Sequence, residues 1–64
     1  MSDSDPRPLL RVERVAEQLD VTPKAVRGWI YRGQLPVVRL TRRAVRVRPA
    51  DLDAFVAARI DRSA

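Results

Sequence analysis

The 64-residue sequence contains no cysteine and no histidine. Without cysteine it can form neither a disulfide nor a thiolate metal site, and without histidine it lacks the usual general base and zinc ligand. Only Asp and Glu remain for catalysis. A domain of this size buries only ~60% of the surface that its unfolded chain exposes, so it encloses no wide substrate cleft. We therefore expect a protein that is not an enzyme and that uses no metal or cofactor.

Long apolar runs are also missing. No run approaches the ~20 residues that a membrane span needs. The first six residues are acidic and polar, unlike the start of a signal peptide. These features predict a soluble, intracellular, cytoplasmic protein with no membrane partner.

The middle of the chain lacks acidic residues altogether. Residues 22–48 contain eight basic side chains and no Asp or Glu, whereas the remaining segments hold five basic side chains and all eight acids. Positive charge concentrated in one stretch creates a local field for a polyanion. The polyanion that best fits is double-stranded DNA.

Apolar periodicity predicts the first helix. Val12, Val15, Ala16 and Leu19 follow the i, i+3, i+4, i+7 spacing of an amphipathic helix, which we expect from about Val12 to Leu19. Residues 1–8 have no apolar side chain after Met1. The expected organisation is a disordered lead at 1–8, one domain at 9–60 and a flexible tail at 61–64.

The second helix has clear start and stop signals. Thr22 suits the N-cap and Pro23 the first helical position, while Gly33 suits the left-handed residue that ends a helix. We expect this helix from Pro23 to about Arg32. Trp29 falls on its apolar face, so we expect Trp29 in the core rather than at a ligand.

A β-hairpin is predicted after the second helix. The stretches 37–40 and 44–48 are rich in β-branched residues and alternate apolar and basic side chains around Thr41-Arg42-Arg43. In the second strand Val45 and Val47 point one way and Arg46 and Arg48 the other, which predicts one face packed on the helices and one charged face.

Pro49 opens a third predicted helix. Its apolar stripe is expected at Leu52, Phe55, Val56 and Ile60. Asp51 and Asp53 complement the positive helix start, which explains them better than a metal site does. The predicted fold class is mainly α with a small β-hairpin, in the order α-α-β-β-α.

The first two helices are joined so tightly, at residues 19–21, that they should cross steeply as a helix-turn-helix whose second helix reads DNA. The stretch from Val15 to Trp29 resembles the general helix-turn-helix pattern. Asp20 stands where that pattern favours Gly, and Asp tolerates a left-handed backbone better than most residues.

The resemblance extends over about Leu9 to Arg59. The matching segments are Leu9-Leu10-Arg11-Val12, Val15-Ala16-Glu17-Gln18-Leu19, Trp29-Ile30-Tyr31-Arg32-Gly33-Gln34-Leu35-Pro36, a basic hairpin and Ala50-Asp51-Leu52. In combination they resemble the excisionase family within the MerR-like winged helix-turn-helix superfamily. Two departures are Arg11 and Arg14 in place of the usual Thr and Glu, and Thr41-Arg42 in place of a Gly-rich wing turn.

This resemblance implies that helix 2 enters the major groove while the hairpin, or wing, follows the backbone to an adjacent minor groove. Excisionases are small architectural proteins that bind near the ends of an integrated phage or plasmid, often as several adjacent copies, bend the DNA and direct an integrase toward excision. The implied location is the bacterial nucleoid or a phage-infected host. Single-domain relatives of this fold regulate transcription instead.

The candidate DNA-binding residues come from two segments. On the recognition helix they are Thr22, Pro23, Lys24, Arg27, Gly28 and Tyr31, and on the wing they are Arg39, Thr41, Arg42, Arg43 and Arg46. Arg27 is the candidate base reader, because its planar fork can bond two acceptors of guanine. Tyr31 either donates to a phosphate or covers the edge of the core. Arg42 and Arg43 reach a minor groove or protect a strand edge.

Three functions fit this sequence. The leading hypothesis is an excisionase-like, sequence-selective architectural protein, and the alternative in the same class is a small MerR-like transcriptional regulator. From a different class, helix 3 and residues 57–64 would make the domain an adaptor that docks on an integrase or on another copy. An adaptor alone has no need of eight basic residues without an acid.

Overall fold

The computed structural model describes residues 6–61. Its elements are α1 (Val12–Leu19), α2 (Pro23–Tyr31), β1 (Val38–Arg39), β2 (Val45–Arg46) and α3 (Pro49–Ala57). The predicted α-α-β-β-α winged helix-turn-helix fold is confirmed. Residues 1–5 of the predicted lead and 62–64 of the predicted tail lie outside the described residues.

The turn between α1 and α2 follows from Asp20 and Thr22. Asp20 adopts the left-handed conformation, with φ 58° and ψ 46°, and its amide donates to the Glu17 carbonyl at 3.2 Å. The Thr22 Oγ1 accepts a hydrogen bond from the Ala25 amide at 3.2 Å, so Thr22 is the predicted N-cap. These two residues end one helix and start the next within three positions.

The end of α2 is also as the sequence indicates. The helix ends at Tyr31, one residue before the predicted Arg32, which is the C-cap. Gly33 is left-handed, with φ 75°, and the Gln34 amide donates to the Trp29 carbonyl at 2.8 Å. This tight end turns the chain back so that Leu35 enters the core, where it is 1% exposed.

The wing is a short antiparallel hairpin. Val38 pairs with Arg46 and Arg39 with Val45, so each strand is two residues long rather than the four or five predicted. The turn is held by Thr41, whose Oγ1 accepts from the amides of Arg43 at 3.2 Å and Ala44 at 3.0 Å. The Thr41 side chain thus stabilises a wing turn that contains no glycine.

The register corrects one prediction about the wing. Residues directly opposite each other in an antiparallel pair lie on the same face, so Arg39 shares a face with Val45. The separation into an apolar and a charged face, predicted from the second strand, is therefore wrong for the hairpin, because Val45 shares one face with Arg39 and Arg46 shares the other with Val38. The five-residue turn sets this register, and alternation within one strand does not reveal it.

The segment before α1 extends the sheet. Leu10 forms an isolated antiparallel bridge with Val47, and each amide donates to the other carbonyl at 2.8 Å. Val47 is fully buried. The bridge ties the start of the helix-turn-helix to the base of the wing.

The core is small and draws on every part of the fold. Its buried side chains are Val15, Ala16, Val26, Leu35, Val47, Leu52 and Phe55. Trp29 is partly buried and packs against this cluster, with its ring centroid 4.8 Å from that of Phe55. The Trp29–Phe55 contact joins α2 to α3. The Arg59 guanidinium lies 3.5 Å from the centroid of the same Phe55 ring.

The predicted apolar stripe of α3 is wrong at two positions, Val56 and Ile60, which are both exposed. A nine-residue helix makes only two and a half turns, so Ile60 lies beyond its end at Ala57 and cannot join the stripe. Val56 lies within the helix, and its position on the edge of the buried face set by Leu52 and Phe55 leaves it 41% exposed.

Two arginines pair with the acids of α3. Arg48 forms a bidentate contact with Asp51, at 2.7 and 3.0 Å, and Arg7 contacts Asp53 at 2.9 Å. Asp51 lies in the first helical turn, where the helix dipole also favours a negative charge.

Candidate nucleic-acid interface

A concave groove of about 490 Å³ lies between the helix-turn-helix and the wing. It is lined by Arg11, Val12, Glu13, Arg27, Ile30, Tyr31, Arg39, Arg43, Val45 and Arg46. Five of these ten residues are arginines, contributed by α2, by the wing and by the residue before α1. We call this surface the arginine groove.

Five of the predicted site residues meet in the arginine groove: Arg27, Tyr31, Arg39, Arg43 and Arg46. Arg39 and its strand partner Val45 both line it. Tyr31 is 91% exposed, so the alternative in which it covers the edge of the core is excluded. An almost fully exposed aromatic residue beside guanidinium groups suits contact with a ligand rather than packing.

The other predicted site residues lie outside this groove. They are Thr22, Pro23, Lys24, Gly28, Thr41 and Arg42. Thr22 and Thr41 hold the helix start and the wing turn by their hydroxyl oxygens. Lys24 and Arg42 are exposed. These positions flank the groove along α2 and at the wing tip.

Gly28 adds no side chain to the surface of α2. A methyl group at this position would meet only the side chain of Arg32, with the Arg32 Nη1 at 3.4 Å, so space within the protein does not require glycine here. Glycine inside a helix is destabilising by roughly 0.5–1 kcal/mol relative to alanine. A surface that another molecule approaches closely offers a reason for it.

Arg11 is a groove residue that the sequence analysis missed. It is the N-cap of α1 and forms no side-chain cap hydrogen bond. The Leu10–Val47 bridge places it beside the wing, although it is remote from the wing in sequence. The only signal in the sequence was its positive charge, which does not distinguish Arg11 from the other twelve basic residues.

The groove also contains an acid. Among the described residues that line it, Glu13 is the one carboxylate, and its Oε2 lies 3.1 Å from the Nη2 of Arg27. Both side chains are exposed, at 64% for Glu13 and 59% for Arg27. This contact joins α1 to α2 across the floor of the groove.

Within 6–61, no group of three or more acidic residues could hold a metal ion. In the same part of the chain, no helix is long and apolar enough to cross a membrane.

Comparison with known proteins agrees with this architecture. A search of curated proteins found no match to this chain. A family model described as a helix-turn-helix domain matches residues 9–60, which run from just before the Leu10–Val47 bridge to just beyond α3. The match covers most of the chain, including both helices of the helix-turn-helix and the wing. The chain therefore belongs to the helix-turn-helix domain family of DNA-binding proteins.

Proposed function

We propose that this protein is a sequence-selective DNA-binding architectural protein. The observation that carries the proposal is the arginine groove, in which α2, the wing and Arg11 present five guanidinium groups around one concave surface. Guanidinium groups bind phosphates through charge-assisted hydrogen bonds. One DNA strand would run in the groove, with α2 in the major groove on one side and the wing toward the minor groove on the other.

The proposal involves no chemistry on the DNA. The sequence lacks His and Cys, and the groove offers a single carboxylate that already contacts an arginine. Binding and bending of the duplex are therefore the proposed activity, without cofactor or catalysis.

Replacing Arg27 with alanine tests base reading by α2. If Arg27 donates two hydrogen bonds to a guanine, Arg27→Ala should lose ~1–3 kcal/mol on a duplex enriched from a random pool by the wild-type protein, and much less on a shuffled duplex. Lys24→Ala should weaken binding to both duplexes alike, because an exposed ammonium holds phosphate. Fluorescence anisotropy at fixed salt measures all four affinities.

Arg14→Ala is the matched control. Arg14 lies on α1 outside the arginine groove and pairs with Glu17 at 3.6 Å. Its substitution therefore removes the same charge as Arg27→Ala without removing a groove contact. Equal losses for Arg27→Ala and Arg14→Ala on every duplex would mean that only net charge matters. Equal losses for Arg27→Ala on the enriched and shuffled duplexes would restrict Arg27 to the backbone.

We further propose that the architectural role is excisionase-like, with several copies on adjacent sites and an integrase as the partner. A single module of this kind buries ~600–1,000 Å² of protein surface on DNA, which alone gives limited discrimination. Neighbouring copies bound to adjacent sites would supply the additional affinity and discrimination. Asp51 contributes little to a direct contact between α3 and the next wing, because it is 17% exposed and held by Arg48. Asp53 is 63% exposed, and solvent screens its pair with Arg7, so it can contact the next wing. Cooperativity would then come from DNA bending and from this contact.

Binding to repeated sites tests this finer role. We expect free monomers that occupy adjacent direct repeats cooperatively and bend the duplex, with cooperativity lost when the repeats are moved by half a helical turn. Electrophoretic mobility shifts on one, two and three repeats measure it. Independent occupancy at every spacing, or a stable dimer on a palindrome, would favour the transcriptional regulator instead.

A further inference from the structure

An acidic side chain on a surface that binds DNA needs an explanation. Glu13 lies in the arginine groove, where its carboxylate repels any phosphate that enters. Its ion pair with Arg27 gives little stability in return, because both side chains are more than half exposed and solvent screens such pairs. Glu13 also lies in the first turn of α1, where the helix dipole favours a negative charge, and that contribution does not require the contact with Arg27.

The geometry of the pair offers a different role. Glu13 contacts one terminal nitrogen of Arg27, the Nη2, at 3.1 Å. A guanidinium has five N–H donors in a planar fork, so the contact favours one orientation of Arg27 and leaves other donors available. A guanidinium whose orientations are restricted in this way loses less conformational entropy when it forms two hydrogen bonds to a guanine.

The same contact opposes binding to arbitrary phosphates. To neutralise a phosphate elsewhere in the groove, Arg27 must leave Glu13, and the uncompensated carboxylate then faces the DNA backbone. The negative charge of Glu13 thus weakens binding to random sequence and supports the contact of Arg27 with a guanine. Disfavouring wrong partners in this way increases specificity.

We propose that Glu13 is a positioning residue that determines the sequence specificity of Arg27. The inference rests on the proposed function, since it assumes that the arginine groove binds DNA. It adds that selectivity resides in an ion pair between α1 and α2 and not in the recognition helix alone.

Glu13→Gln is the decisive variant, because glutamine keeps the length of the side chain and removes its charge. We expect affinity for the shuffled duplex to rise roughly five- to tenfold at about 0.1 M salt, since Arg27 neutralises one more phosphate, and the salt slope to steepen by about 0.9. Affinity for the enriched duplex should not rise, so the ratio of the two affinities should fall roughly five- to tenfold.

Glu17→Gln is the matched control. Glu17 is exposed one turn further along α1, pairs with Arg14 and lies outside the arginine groove. Glu17→Gln changes the net charge by the same amount as Glu13→Gln. It should therefore alter binding to both duplexes by the same small factor. Thermal melting of each variant checks that the fold is unchanged.

A double-mutant cycle identifies the route of the effect. In the Arg27→Ala background, Glu13→Gln should change affinity for the shuffled duplex no more than Glu17→Gln does. If the Glu13→Gln effect persists there, or if the two glutamine variants behave alike, Glu13 acts as bulk charge and the inference is wrong. If the wild-type protein binds enriched and shuffled duplexes equally, the proposed function fails as well.

Discussion

Replacing Trp29 with alanine should leave the domain largely unfolded. The substitution removes a large side chain that packs against the core and loses the ring contact with Phe55 at 4.8 Å. Because Trp29 is only partly buried, we expect a loss of about 3 kcal/mol, the lower end of the range for Trp→Ala in cores. A core of this size rarely supplies more than ~3–5 kcal/mol in total, so little stability would remain.

Tyr31→Ala is the matched aromatic control on the same helix. Tyr31 is 91% exposed, and its truncation should change the free energy of unfolding by less than about 0.5 kcal/mol. Urea unfolding followed by far-UV circular dichroism is the suitable measurement, since Trp29 is the one tryptophan of the chain and its fluorescence is lost in the variant. A Trp29→Ala protein that melts normally but no longer binds DNA would place Trp29 in the interface.

Leu35→Ala should be comparably destabilising, by ~2–5 kcal/mol. Leu35 is 1% exposed and is the first buried residue after α2, so it anchors the connection between the recognition helix and the wing. Its truncation leaves a cavity lined by residues from several elements, which cannot all collapse to fill it. Thermal melting and urea titration measure the loss.

The wing provides a second leucine for comparison. Leu40 is 55% exposed at the start of the wing turn, and Leu40→Ala should stay within about 0.5 kcal/mol of the wild type. The pair differs in burial and not in chemistry. Similar effects of the two substitutions would mean that Leu35 does not occupy the core.

Local signals explain why much of the fold was predictable from sequence. The helix boundaries at Val12, Leu19, Pro23 and Pro49 follow from apolar spacing, from a Thr N-cap and from Pro at first helical positions. These signals act within one or two turns of the chain. They therefore remain valid whatever the rest of the fold does.

The features that sequence reasoning missed all depend on residues brought together from a distance. The Glu13–Arg27 pair forms only because α1 and α2 cross, and Arg11 enters the groove only because Leu10 joins β2. The position of Arg39 depends on strand register, which a two-residue strand does not specify by its own pattern. The candidate site was thus predictable as a basic surface but not as a groove with a defined acid in it.

The Leu10–Val47 bridge joins residues far apart in the chain, so we expect it to form late in folding. Contacts within α1, the turn and α2 join residues close in the chain and form quickly, whereas the bridge closes a loop that contains α1, α2 and most of the wing. We therefore expect docking of the wing to be a late step in folding. Because Val47 is fully buried, we also expect the two hydrogen bonds of the bridge to open only together with the core, so the wing that carries Arg39, Arg43 and Arg46 keeps its place beside α2 as long as the core is intact.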